Sequence, residues 1–209
     1  MEDRLIDRHL NIKTLGLRDW PDPKTPYNRY EGTPYRALDS LFKEYEISEE
    51  DKIVDFGCGR GRVVFYIHKR FKANIIGVEA HDLTYQEALD NKRRYLEASR
   101  DKNIAIEFKH ILAQDYEIQD DTNIFYFFNP FSIKVFRLVV ASILGSFDRE
   151  NRRIDLIFYY PFPEYRSYME DKTPFKTYKI IRVKGAKEKK EEFIIYRIEK
   201  DLYKEAGNV

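Results

Sequence analysis

Residues 54–62 read Val-Asp-Phe-Gly-Cys-Gly-Arg-Gly-Arg. A short apolar run over residues 53–56 leads into this stretch, and a helical pattern over residues 62–71 follows it. Glycine at three alternate positions suits a backbone that turns sharply and approaches a ligand with no Cβ atoms in the way. The stretch therefore predicts a strand, a ligand-binding turn and a helix, which together begin an α/β sheet.

Short apolar runs alternate with longer amphipathic stretches through the middle of the chain. The sequence predicts strands at residues 53–56, 74–78, 104–109, 123–128 and 153–160, and helices at 34–46, 62–71, 82–100 and 132–147. Such alternation is typical of right-handed βαβ units with helices on both faces of the sheet. Two β-rich runs, 175–183 and 192–199, flank a lysine-rich turn and predict an antiparallel hairpin. The predicted fold is α/β, with a doubly wound, mostly parallel seven-stranded sheet closed by a C-terminal antiparallel hairpin.

The first 32 residues differ in character from the rest. They contain prolines and aromatic side chains, namely Trp20, Pro21, Pro23, Pro26, Tyr27 and Tyr30. Disordered tails rarely hold so many rings, so we predict an irregular arm that packs on the body through them. At residues 33–34, Thr is a good N-cap and Pro is favoured at the first helical position. Because 209 residues fit one domain, we predict an arm over 1–32 and a single domain over 33–209.

The composition excludes several classes of protein. Thirty-seven basic and 36 acidic side chains leave a net charge of +1, so no global field attracts polyanions. A single cysteine permits neither an intramolecular disulfide nor a cysteine-based zinc cluster, and the four histidines lack metal-ligand spacing. No stretch approaches the roughly 18 apolar residues of a membrane helix. We expect a soluble cytoplasmic protein with no metal and no membrane partner.

The glycine pattern separates two cofactor classes. A dinucleotide fingerprint reads G-x-G-x-x-G, but here the third glycine comes one residue early, which disfavours a nicotinamide oxidoreductase. An acidic residue followed by G-x-G-x-G resembles the first motif of class I S-adenosylmethionine-dependent methyltransferases. The resemblance implies that the loop turns beneath the cofactor, S-adenosyl-L-methionine, and that Asp55 orients the loop and the cationic methionine end. The loop residues with this role are Gly57, Cys58, Gly59 and Gly61.

Two further carboxylates follow later strands. Glu79 ends the second strand and resembles the family's ribose ligand, because a carboxylate at a strand end can accept both ribose hydroxyls. A solvated strand-end acid is the alternative. Asp115 follows the third strand and resembles the family's third motif, in which an acidic side chain meets the adenine amine, although acids are common in such turns. His81 is expected to neighbour the adenosyl pocket, and Cys58 to pack without acting as a nucleophile.

Residues 125–132 read Phe-Tyr-Phe-Phe-Asn-Pro-Phe-Ser and follow the fourth strand. They resemble the [Asp/Asn/Ser]-Pro-Pro-aromatic motif of amino-methylating members, although this chain has one proline and the aromatic follows it at once. The resemblance implies that the Asn129 side chain and the Pro130 carbonyl hold an acceptor nitrogen. Phe131 or Tyr126 would line its pocket. A simple strand-ending turn is the alternative.

Upstream, residues 30–35 read Tyr-Glu-Gly-Thr-Pro-Tyr and resemble a Tyr-x-x-Thr-Pro element of several amino methyltransferases. Tyr30 and Thr33 are therefore expected at the cofactor site. A helix that starts here presents free N–H groups, which suit a carboxylate such as that of the methionine end. A plain helix cap is the alternative.

The resemblance implies an enzyme that transfers a methyl group from S-adenosyl-L-methionine, with nitrogen favoured as the acceptor. The acceptor is left open among a small molecule, a nucleobase and a protein side chain, and the sequence does not give the oligomeric state. The aromatic arm could form a lid over a small-molecule site. A non-catalytic cofactor-binding or assembly protein on the same fold is the rival hypothesis, because the acceptor motif lacks its second proline.

Overall fold

The structure is a computed structural model. It describes residues 2–99, 104–186, 188 and 190–199. The helices are α1 (Glu2–His9), α2 (Tyr35–Leu41), α3 (Arg62–Phe71), α4 (Asp82–Ala98), α5 (Ile133–Arg149) and α6 (Pro163–Lys172). The strands are β1 (Lys52–Phe56), β2 (Asn74–Glu79), β3 (Ile106–His110), β4 (Ile124–Phe127), β5 (Ile154–Tyr159), β6 (Lys176–Arg182) and β7 (Glu192–Ile198). A short 3₁₀ turn, Ala113–Asp115, follows β3.

The strands form one seven-stranded sheet in the order β3-β2-β1-β4-β5-β7-β6. Strands β1 to β5 are parallel to one another, while β7 runs antiparallel to both β5 and β6. The predicted doubly wound, mostly parallel sheet with a C-terminal hairpin is confirmed. Lys187 and Lys189, in the lysine-rich turn of that hairpin, lie outside the described residues.

Helices cover both faces of the sheet, as predicted. On one face Ile53 and Tyr126 belong to a core that includes apolar side chains of α2, α3 and α4. On the other face Val54 and Phe125 belong to a second core with side chains of α5 and α6. Because central parallel strands are buried on both faces, they read as continuous apolar runs. Within the described residues, no helix has the length and apolar character that crossing a bilayer requires.

Two helices, α1 and α6, were not predicted from the sequence. Helix α1 lies in the segment expected to be irregular, and only Asp7 of it is buried. It is anchored by polar contacts: the Asp7 carboxylate accepts hydrogen bonds from Thr14 and from the Tyr35 hydroxyl. Helix α6 buries only Tyr165 and Met169, so its apolar pattern is weak. A helix without a broad apolar stripe gives little periodic signal.

The helix predicted over residues 34–46 is shorter, and its start is built differently. Pro34 is the N-cap and makes no side-chain capping bond, so the prediction of Thr33 as the cap is wrong. The Thr33 hydroxyl lies 2.9 Å from that of Tyr126. The N–H of Tyr35, in the first turn, donates to the Asp3 carboxylate at 3.3 Å. This end of α2 therefore already has an acidic partner from within the chain, which disfavours the predicted contact with a cofactor carboxylate.

The sheet topology defines where a ligand would bind. Strands β1 and β4 are neighbours, and the chain leaves β1 toward β2 but leaves β4 toward β5 on the opposite side. Ligands of open α/β sheets bind in the crevice outside the carboxyl ends of the strands at such a switch point. The glycine loop follows β1 there.

Candidate functional site

The glycine loop, residues 57–61, leaves the carboxyl end of β1. Gly57, Gly59 and Gly61 have φ angles of 71°, 56° and 84°, a region that L side chains rarely adopt. A Cβ at Gly57 would lie 2.4 Å from the Cβ of Pro130, and one at Gly59 would lie 2.1 Å from the ring of Tyr30. The groups that approach these two glycines belong to the chain itself, and a close approach to a ligand stays a prediction.

Glu79 anchors the glycine loop to the end of β2. Its Oε2 accepts a hydrogen bond from Gly59 N–H at 2.9 Å, and its Oε1 accepts one from His81 N–H at 2.8 Å. Burial raises the pKa of Glu79, and the backbone donors oppose that shift. Because a carboxylate has about four lone-pair sites, each oxygen retains capacity for a further donor. Glu79 also lines the pocket beside the loop.

Asp55 faces the same pocket from β1 and is only 3% exposed. Its carboxylate makes no hydrogen bond with the part of the chain that the structure describes. Burial, and next the charge of Glu79, raise the pKa of Asp55 to about 8. Since a buried carboxylate without partners is costly to ionise, this position favours a ligand that brings positive charge or N–H donors.

Cys58 lines the pocket and lacks the properties of a nucleophile. Burial raises the pKa of its thiol well above the usual value, and the neighbouring charges of Asp55 and Glu79 add to the shift. The thiol, not the thiolate, is therefore the form at neutral pH. Its sulfur packs against Gly77, where an added Cβ would lie 2.7 Å away.

The turn after β3 contributes Ala113 to the pocket wall, and Asp115 lies elsewhere. Asp115 is exposed and does not line the pocket that Asp55 and Glu79 share. Ala113 N–H donates to the Tyr27 hydroxyl at 3.1 Å, and that hydroxyl donates to Gln114 Oε1 at 2.8 Å. The structure thus does not bring Asp115 to the other predicted residues. Gln114, which the sequence analysis missed, supplies the polar side chain there.

Asn129 and Pro130 lie at the carboxyl end of β4, but their polar groups already have partners. The Asn129 amide donates to the carbonyl of Tyr160 at 2.7 Å and accepts from the N–H of Phe162 at 3.0 Å. The backbone carbonyls of residues 129 and 130 accept from the side-chain and backbone N–H groups of Asn28, at 2.7 and 2.9 Å. The groups that were predicted to bind the methyl acceptor therefore bind the loop after β5 and the arm. Asn28 was missed because nothing in its local sequence marks it.

The other predicted side chains divide between the pocket wall and the core. Tyr126 and Thr33 line the pocket, and their paired hydroxyls are buried. Tyr30 lines it too, with its ring against the glycine loop. Phe131 is fully buried, packs edge-to-face against Tyr27 and does not reach the pocket. The structure thus brings most of the predicted site residues to one pocket. Gly59, Gly61 and Asp115, predicted for the cofactor, and Asn129 and Phe131, predicted for the acceptor, do not line it.

Two further polar atoms in the pocket wall have no hydrogen-bond partner among the described residues. They are Thr84 Oγ1, in a side chain that is 1% exposed, and Arg18 Nε. Buried polar groups are nearly always satisfied by protein, water or ligand. Together with the Asp55 carboxylate, they give the pocket both donors and acceptors for a polar ligand. His81 lines the pocket, beside the ring of Trp20.

The arm closes this pocket. The free space in the pocket lies well below the roughly 300–1,000 Å³ of small-molecule sites. Only about 50 Å³ can hold the centre of a water molecule. Trp20, Tyr27 and Tyr30 of the arm all stand in the wall. The predicted packing of the arm through its rings is therefore observed, and the rings leave little free space.

No protein-family model matches the chain. Among curated proteins, a protein-lysine N-methyltransferase of Saccharolobus islandicus (strain REY15A) is 33% identical over 67 residues, which cover 32% of this chain and 42% of that protein. The match therefore spans less than half of the curated relative.

Two solved structures are similar to the chain in fold. An RNA methyltransferase from Salinibacter ruber in complex with S-adenosyl-L-homocysteine has a TM-score of 0.56 and 17% identity, over 80% of this chain and 92% of that chain. The tRNA (uracil-54, C5)-methyltransferase of Pyrococcus abyssi, also in complex with S-adenosyl-L-homocysteine, has a TM-score of 0.51 and 16% identity, over 78% of this chain and 38% of that chain. At these identities the likeness concerns the fold.

Proposed function

We propose that this chain, which has the class I methyltransferase fold, binds S-adenosyl-L-methionine in the closed pocket and transfers its methyl group to a nitrogen acceptor. One observation carries the proposal. Two buried carboxylates, Asp55 and Glu79, flank the glycine loop at the switch point of the sheet and face one pocket.

The polar groups of the pocket fit the proposed cofactor. Asp55 has no hydrogen bond among the described residues and would be stabilised as a carboxylate by the ammonium group of the methionine end. Glu79 retains one lone pair on each oxygen for the two ribose hydroxyls. The cofactor would supply an electrophilic methyl group on its sulfonium sulfur. The chain would exclude water and align the acceptor nitrogen, which gains the methyl group and loses a proton as the carbon–sulfur bond breaks.

A lysine side chain is the acceptor to test first. The similarity to a protein-lysine N-methyltransferase over 67 residues supports this choice, and the net charge of +1 disfavours long nucleic acids. The experiment incubates the protein with methyl-labelled cofactor and a cell extract, then separates protein from RNA and small molecules. Label on lysine is the expected result, whereas label confined to RNA or small molecules would overturn the lysine assignment.

A cofactor-binding protein without transferase activity is the second candidate. It is favoured by one observation, the occupation of both acceptor-motif carbonyls by Asn28. Binding of the cofactor with no label in any fraction of the same extract would support this candidate.

The cofactor class is tested directly by calorimetric titration. S-adenosyl-L-homocysteine is expected to bind, and NAD is not, because the third glycine of the loop sits one residue too early for a dinucleotide turn. Binding of NAD at micromolar concentration with no response to the adenosyl ligand would contradict the proposed function.

Cofactor binding is expected to release a proton from Asp55 at pH 7. In the free protein the pKa of Asp55 is about 8, so the carboxyl is mostly protonated, whereas a cationic ligand favours the carboxylate. Affinity should therefore rise as the pH approaches 8. Titration of S-adenosyl-L-homocysteine in buffers with different ionisation enthalpies counts the protons. Asp55→Asn is the control that removes this contribution while leaving the ligand's own ammonium group, and equal proton release by both proteins would contradict the assignment.

The same carboxyl should make the free protein less stable at high pH. Its folded pKa of about 8 lies above the unfolded value of about 3.9, so its contribution to stability is present below pH 4 and is lost as the pH rises through 8. Asp55→Asn should thus raise the Tm by about 5 °C or more at pH 8.5, and by less at pH 5. A thermal melt without added ligand measures both values.

A further inference from the structure

Residues 26–30 of the arm form a strap, of which residues 27–30 line the pocket. Along one edge it pairs with the backbone of residues 130–132, through hydrogen bonds of 2.9 and 2.6 Å. Along the other edge it exchanges two backbone hydrogen bonds with Arg18. The strap is therefore an extended segment with backbone partners on both sides. Such pairing is reversible, because each bond can be exchanged for one to water.

Tyr27 projects from the strap to the turn after β3. Its hydroxyl accepts from Ala113 N–H at 3.1 Å and donates to Gln114 Oε1 at 2.8 Å. Burial raises the pKa of Tyr27, so the hydroxyl keeps its proton and remains a donor at neutral pH. One hydroxyl thus satisfies both a backbone donor of the pocket wall, Ala113 N–H, and the neighbouring side-chain acceptor of Gln114.

The two groups that the Tyr27 hydroxyl contacts are complementary to one edge of adenine. That edge presents a ring nitrogen, which accepts, beside an exocyclic amine, which donates. Ala113 N–H and Gln114 Oε1 offer the complementary donor and acceptor, on adjacent residues of the turn after β3. The pocket, with about 50 Å³ free for the centre of a water molecule, is too small for a nucleoside. The Tyr27 hydroxyl also holds both groups that would pair with the base.

We propose that the Tyr27 hydroxyl occupies the nucleobase edge of the pocket in the free protein, so that an adenosine-bearing ligand binds only after the strap withdraws it. The strap is then an internal competitor of the ligand. This inference rests on the proposed cofactor, and it makes Gln114, in place of Asp115, the side chain that meets the adenine amine.

The test compares Tyr27→Phe with the unaltered protein in binding S-adenosyl-L-homocysteine. The variant retains the ring that packs on Trp20 and Phe131 but loses both hydrogen bonds of the hydroxyl. Because those bonds no longer have to be broken, affinity should increase about 5- to 30-fold. The increase should appear in the association rate. Tyr178→Phe, an exposed tyrosine of β6, serves as the matched control and should bind as the unaltered protein does.

Trp20 provides a second measurement. It is the single tryptophan of the chain, its ring lies 5.2 Å from that of Tyr27, and its indole N–H donates to the Asn28 carbonyl of the strap. In stopped-flow experiments its fluorescence should report strap movement on ligand binding. In the free protein, acrylamide should quench Trp20 more strongly in Tyr27→Phe than in Tyr178→Phe, because the strap has lost two of its bonds.

The outcomes separate this inference from the proposed function. If the unaltered protein binds the ligand and Tyr27→Phe binds it equally well, the Tyr27 hydroxyl does not affect binding. If Tyr27→Phe binds it more weakly, the hydroxyl contacts the ligand. Either result overturns the inference. If neither protein binds the ligand at millimolar concentration, the proposed cofactor is wrong and the inference fails with it. Tighter binding by Tyr27→Phe together with greater quenching of Trp20 supports the inference.

Discussion

Glu79→Ala is expected to weaken the binding of S-adenosyl-L-homocysteine by about 100-fold or more. Hydrogen bonds to a charged group contribute about 1.5–3 kcal/mol, which corresponds to about 10- to 150-fold in affinity for the ribose contact alone. The substitution also removes the acceptor that holds Gly59 N–H at 2.9 Å. Because the glycine loop would lose its anchor, we expect an effect in the upper part of this range. Calorimetric titration measures it.

Two controls make this result specific. Glu107→Ala removes an exposed carboxylate from β3, away from the pocket, and should leave the affinity unchanged. Glu79→Gln keeps one acceptor oxygen and should lose less affinity than Glu79→Ala. It also removes the Glu79 charge, which adds to burial in raising the pKa of Asp55, so proton release on binding should shift to lower pH. An affinity of Glu79→Ala within threefold of the unaltered protein would show that Glu79 is not the ribose ligand.

Gly59→Ala is expected to lower the free energy of unfolding by about 2–5 kcal/mol. The left-handed conformation of this position, φ 56°, costs an L residue about 1–2 kcal/mol. The new Cβ would also lie 2.1 Å from the ring of Tyr30, and overpacking of this kind costs about 1–3 kcal/mol. Since Tyr30 belongs to the strap, displacement of its ring should also change the fluorescence of Trp20. Chemical denaturation measures the loss.

The other glycines of the chain supply matched controls. Gly145 lies in α5 with nothing within 4 Å of an added Cβ, so Gly145→Ala should stabilise the protein by up to about 1 kcal/mol. Gly185 has φ 75° and equally open surroundings, so Gly185→Ala isolates the backbone cost. If Gly59→Ala proves no more destabilising than Gly185→Ala, the close packing of the strap on the glycine loop is absent in solution.

The sequence by itself determined the sheet, the glycine loop and its carboxylates. The strand over residues 53–56 and the helix over residues 62–71 fall within one residue of β1 and α3, because a run of neighbouring side chains sets the local backbone and the face that is buried. The positive φ angles at the three glycines follow from the same local constraint. The position of Glu79 beside the loop follows from the rule that parallel strands end at one edge of the sheet.

Only the tertiary structure decided how the arm and the acceptor motif use their polar groups. Tyr27 and Ala113 are 86 positions apart in the chain, and the Asn28 side chain meets Asn129 across 101 positions. No local sequence pattern predicts such contacts. Several polar groups of the chain could accept a hydrogen bond from a given donor, and only the packing of the folded chain decides which of them lies within reach. The same reason explains Asn129. Its Asn-Pro sequence predicted a residue that binds the methyl acceptor, but the loop after β5 lies beside it in the folded chain and takes both of its amide hydrogen bonds.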